Sequence, residues 1–157
     1  MLAGDAGRAQ ALIEESGRRF PNDTLVNSVW LPTVRAAIEV RRDNSAKAIQ
    51  ELQAAMCCEL GRDASFLPIY HRGQAYLRAG KGTEAAAEFQ KILDHRGIDA
   101  TSPHYALAHL GLARASALAS DTSKSRKAYQ DFFALTKDAD PDIPILQQAR
   151  AEYAKLK

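Results

Sequence analysis

Apolar side chains along this chain recur every third or fourth residue with polar residues between them, and no stretch alternates one in, one out. That period belongs to amphipathic helices, so the pattern predicts an all-α protein. The stretch GQAYLRAGKGTEAAAEFQ, residues 73–90, carries a second regularity: Gly73, Tyr76, Gly80, Ala85 and Phe89 place small residues at set distances from aromatics. Aligning the chain on Ala85 brings Ala9, Ala48 and Ser125 into register with it. Four residues after each stands a larger side chain, Ile13, Leu52, Phe89 or Tyr129, and five residues before each a turn residue, Gly4, Asp43, Gly80 or Ser120. The unit repeats about every 40 residues. Positions i and i+4 share a helix face. The small residue lets a neighbouring helix approach and the bulky one fills the adjacent groove. Each unit therefore reads as a helical hairpin. One hairpin cannot bury its apolar stripe alone, so the hairpins must stack as an α-solenoid.

The expected map is a single domain over residues 1–157. An opening helix covers 5–19, followed by hairpins at 23–59 (helices 23–42 and 45–59), 64–95 (64–79 and 82–95) and 103–137 (103–119 and 122–137). A capping helix covers 143–156, with Ile145, Leu146, Ala149, Tyr153 and Leu156 on its apolar face. Gly80 suits a positive φ at its turn, with Thr83 helping to cap the next helix. Pro21, Pro68, Pro103, Pro141 and Pro144 fall at junctions or first helical turns, where the missing N–H costs nothing. Pro32, inside NSVWLPTVRAAIEV, predicts a kink or a late start. The opening helix matches the second half of a unit, so more chain is expected upstream.

Hydrophobic residues make up 46% of the chain, enough for a packed core and too many for global disorder. Charges interrupt every apolar run before it could span a bilayer, and MLAGDAGRAQ has no basic-then-apolar leader. A cytoplasmic location is expected. Twenty-one basic against 19 acidic side chains leave +2, which argues against a nucleic-acid partner. Cys57 and Cys58 are adjacent; on a helix such neighbours diverge, so a disulfide would need a distorted backbone. Without a CxxC motif they read as small, partly buried residues in a reducing compartment.

Chemistry is sparse. His71, His95, His104 and His109 form no HExxH, and His104 and His109 lie on diverging faces of one helix, so no metal site is expected. The carboxylates of DADPD, residues 138–142, lack the glycine and terminal glutamate of a calcium loop, and Asp142 reads as a helix cap. No Ser, Cys or Lys sits in an activating motif. The chain is expected to be neither an enzyme nor a cofactor binder.

Gly73, Tyr76, Gly80, Ala85 and Phe89 fill every position of Gly-x2-Tyr-x3-Gly-x4-Ala-x3-Phe, and this stretch resembles the tetratricopeptide repeat. Ala113, Ser116, Ser120, Ser125 and Tyr129 form a weaker copy, and Ala36, Ala48 and Leu52 keep part of another. FPNDTLVNSVWLPTVRAAIE, FQKILDHRGI and YQDFFALTKDADPDIPILQQARAEYAKL are similar to the C-terminal repeat region of bacterial eukaryote-like serine/threonine protein kinases. The glycine-rich loop, HRD and DFG motifs of a kinase are absent from this stretch.

The resemblance implies a docking or sensing appendage in which the first helix of each hairpin lines a concave groove. In that register Trp30, Thr33, Ala37 and Arg41 face the groove from the first hairpin. Leu67, Tyr70, Gln74 and Arg78 follow from the second, and Leu107, Leu110, Arg114 and Leu118 from the third. The expected occupant is a protein or peptide, since Trp, Tyr and Arg dominate binding energy and arginines can clamp carboxylates. Against this stands a plainer reading in which Trp30 packs on the opening helix and the arginines merely solvate the surface. The groove lacks the lysine–asparagine set that chaperone-tail binders use, and Gln74 and Arg114 are partial substitutes. Self-association, the sensing tail of a bacterial transcription regulator, and a structural spacer are the alternatives.

Overall fold

The computed structural model describes residues 6–156, and among these every regular element is helical. Helix α1 (Ala6–Arg19) is followed by a π-helical turn, Val26–Trp30, which runs directly into α2 (Leu31–Arg41). Then come α3 (Ser45–Glu51), α4 (Leu67–Arg78), α5 (Gly82–Asp94), α6 (Pro103–Leu118), α7 (Thr122–Leu135) and α8 (Pro144–Tyr153). Helix α2 packs on α3 and α4, α3 on α4, α4 on α5 and α6, α5 on α6, and α6 on α7; α1 rests on α2 and α8 on α7.

The small-and-bulky register lies in the interior. Ala48, Ala85 and Ser125 are fully buried, as are Leu52 and Phe89, with Tyr129 and Ile13 nearly so. Ala9 is half-buried. The turn residues five positions earlier share a backbone conformation: Asp43, Gly80 and Ser120 all have positive φ, at 57°, 73° and 63°. Gly4 lies outside the described residues. Ser125 also donates its hydroxyl to the Ala113 carbonyl across the α6–α7 contact, so its polar atom is satisfied in the core.

Phe89 shows why glycine is needed nearby. A Cβ on Gly73 would lie 2.8 Å from its ring, and one on Gly111 2.5 Å from it. The ring is thus wedged between the backbones of α4 and α6, and α5 joins both neighbours through one side chain. This ring anchors the main core, which includes Phe66, Ile69, Ile92, Leu110, Tyr129 and Phe132. Smaller clusters surround Ala36, Ala48 and Leu52, and Ile13, Val26 and Ile38.

One local expectation holds in part and three are corrected. At Pro32 the regular α-helix does start late, at Leu31, but not cleanly. The helix enters it through the wider π turn, in which the Leu31 N–H reaches the Val26 carbonyl. The wide turn draws earlier carbonyls away from the proline ring. The helix expected over 45–59 stops at Glu51 and tightens into a run of i→i−3 hydrogen bonds. Gln53, Ala55, Met56, Cys58, Gly61 and Ala64 each donate three residues back. With about three residues per turn, every third side chain points the same way. Leu52, Ala55 and Ala64 are accordingly buried on one side, and α4 begins at Leu67 instead of 64. Thr83 does not cap α5, whose N-cap is Lys81 with no side-chain bond. Asp142 does not cap α8 either; its N–H bonds to the Asp140 carboxylate, and Ile143 holds the cap position.

A buried ion network fastens this 3-10 run. Arg72, 3% exposed, sets Nη2 2.7 Å from Glu59 Oε2 and 2.6 Å from Glu88 Oε2. Lys91 Nζ donates to Glu59 Oε1 at 2.9 Å. Two cations thus face two carboxylates. Burial alone would lower the Arg72 pKa, but Glu88 and then Glu59 more than offset it and raise it. Removing one member would strand its partner's charge in the interior, which is the costly case for buried pairs.

Candidate functional site

The contacts of α2 with α4 and of α4 with α6 set three helices side by side. Pro32, Pro68 and Pro103 stand in their first turns, where φ is already helical and no N–H is lost. Ser102 caps α6 by accepting the His104 N–H.

Of the expected groove residues, Leu67 and Leu107 are half-buried and Leu118 is exposed, and the other nine divide into three groups. Thr33 and Leu110 are buried, at 5% and 1% exposure, so neither is open to a ligand. Thr33 bonds the Val29 carbonyl one turn back, and Leu110 belongs to the main core. Ala37 is likewise buried at 5%. A second group is surface residues with partners within the chain. Trp30 is 48% exposed and donates its indole N–H to the Asp63 carbonyl at 3.2 Å, so it ties the start of α2 to the turn before α4. Arg78 pairs with Asp43 at the α2–α3 turn. Arg114 clamps Glu152 of α8 with two hydrogen bonds, Nε to Oε2 at 2.9 Å and Nη2 to Oε1 at 3.1 Å. Arg41 is exposed at the end of α2.

The third group is Tyr70 and Gln74, which lie one turn apart on the same face of α4. Tyr70 is half-buried and ringed by aromatics. Phe89 lies below it with centroids 6.0 Å apart, and His71 and His104 stand edge-on at 5.8 and 5.1 Å. Burial raises the pKa of the Tyr70 hydroxyl, while the positive charge of Arg114 acts the other way. Burial also drives His71 down to about 4, helped by repulsion from His104, and lowers His104 as well. Near neutral pH both imidazoles are therefore uncharged. The platform of Tyr70, Gln74, His71 and His104 can stack on a planar group and exchange hydrogen bonds. It carries no unpaired charge to attract an ion.

His71, His104 and Glu152 were not anticipated as members of this region. Tyr70 and His104 sit on different helices, and Arg114 and Glu152 are 38 residues apart, so no local spacing announces either contact. No group of three or more His, Cys, Asp or Glu side chains converges to hold a metal ion among the described residues. None of their helices is long and apolar enough to cross a membrane. No family model, curated protein or solved structure matches the chain.

Proposed function

We propose that this chain is a tetratricopeptide-like array of stacked hairpins that binds a protein segment. In this reading it is the regulatory tail of a bacterial signalling serine/threonine kinase. One observation carries the binding part. The first helices of successive hairpins pack directly on one another, α2 on α4 and α4 on α6, while α3 and α5 each also touch the helix that follows. Such a row presents a continuous face, as in repeat arrays generally. Its centre holds the Tyr70–Gln74 platform. The kinase part rests on the sequence resemblance alone.

Because Arg78 and Arg114 are engaged within the chain, the expected partner contributes an aromatic or amide-rich stretch in preference to a carboxylate clamp. A photo-crosslinking residue placed at Gln74 and, separately, at exposed Lys124 on α7 tests this in a bacterial lysate. A discrete adduct from position 74 with none of that mass from position 124 supports the docking face. No adduct from 74, or the same adducts from both, overturns it.

A further inference from the structure

The 3-10 turn Ala54–Cys57 ends on a pair of adjacent thiols. In a regular helix neighbouring side chains point about 100° apart, which would hold these sulfurs away from each other. Here Cys58 leaves helical geometry, with φ −127° and ψ 2°, while its N–H still bonds the Ala55 carbonyl at 3.0 Å. With that departure the two side chains lie close together instead of diverging. The two Sγ atoms stand 2.7 Å apart, side by side and unbonded, where a disulfide would hold them at ~2.05 Å. Cys57 is exposed and Cys58 half-buried, so one thiol meets solvent and the other waits beside it. The hydrogen bond shared with Cys57, and then burial, raises the pKa of the Cys58 thiol, and it is the exposed Cys57 that meets a reagent first.

We propose that Cys57 and Cys58 form a vicinal dithiol that reduces small dialkyl disulfides and closes on itself as an eight-membered disulfide ring. The Cys57 thiolate attacks one sulfur of the dialkyl disulfide, forming a mixed disulfide and expelling one alkyl thiolate. Cys58 then gives up its proton, and its sulfur attacks Sγ of Cys57, expelling the second alkyl thiolate. The protein loses two electrons and two protons, and the reagent gains them as two thiols. The second step is intramolecular between atoms already in contact, so it outruns attack by a thiol from solution.

Glutathione disulfide serves as the probe. The reduced protein is incubated with it in mildly alkaline buffer, and the tryptic peptide 48–62, which holds both cysteines, is weighed by mass spectrometry. Wild type is expected to lose the mass of two hydrogens with no glutathione retained, and dithiothreitol is expected to restore it. Cys58→Ser, which keeps the attacking thiol without its resolving partner, is expected to stop with one glutathionyl group on Cys57. Wild type that retains glutathione, wild type that crosslinks into covalent dimers, or a Cys58→Ser protein that takes up no glutathione would each overturn the proposal.

Discussion

Ser120 holds a left-handed backbone conformation, φ 63°, at the α6–α7 turn, the place that Gly80 occupies between α4 and α5 with φ 73°. An L side chain in that region costs about 1–2 kcal/mol, part of which glycine recovers after its larger unfolded-state entropy is charged. Among the described residues the Ser120 hydroxyl has no hydrogen-bond partner to lose, and its N–H serves the Ala117 carbonyl. Ser120→Gly is therefore expected to stabilise the fold by about 0.5–1 kcal/mol. A thermal melt should move up by a few degrees; a melt that moves down would contradict the turn geometry. Asp43 is a less clean site for the same change, because its carboxylate pairs with Arg78. Small size matters differently at Gly73 and Gly111, where the Phe89 ring and not the backbone angle forbids a Cβ.

Helix α8 shows what ties an end element to the body. Glu152 receives Arg114 from α6 and the Tyr129 hydroxyl from α7, the latter at 2.9 Å. Burial, and then the Glu152 contact, raises the Tyr129 pKa, so the phenol stays a donor at any ordinary pH. Arg126 reaches the Leu156 carbonyl, and Tyr153 packs edge-on against Tyr129 and Phe133. Charge-assisted bonds of this kind contribute about 1.5–3 kcal/mol when partly shielded. Arg114→Ala is thus expected to loosen α8 first. Hydrogen exchange should speed up about tenfold at α8 amides and little in α4 and α5. Uniform acceleration across the chain would mean that Arg114 supports the whole fold and not its last helix. The 3-10 run before α4 makes the complementary point. Its every-third-residue pattern, Leu52, Ala55 and Ala64, is present in the sequence, yet three residues per turn sits close enough to 3.6 to be read as more α-helix.

At the scale of the whole molecule, the half-buried imidazole of His71 makes stability depend on acidity. The unfolded chain protonates this residue near its ordinary 6.5, whereas the folded chain does so only at about 4. Between those values the unfolded state holds the extra proton, so stability falls as pH drops through the window and the loss is complete below it. The loss attributable to this group is on the order of 3 kcal/mol. Urea titrations at neutral and at mildly acidic pH should show a smaller drop for His71→Gln than for wild type. Equal drops would place His71 in water in the fold. Local order along the chain determined the helical class, the register of Ala48, Ala85 and Ser125, and the tight turns after α2, α4 and α6, because side chains one turn apart report directly on a shared face. Tertiary structure alone decided which surface residues remain available. Thr33 and Leu110 went into the interior, Arg78 and Arg114 were taken by Asp43 and Glu152, and two sulfurs expected to diverge were brought into contact. Those outcomes depend on which helix lies opposite and on how tightly a connecting turn is wound, and neither is written in the spacing of residues along one helix.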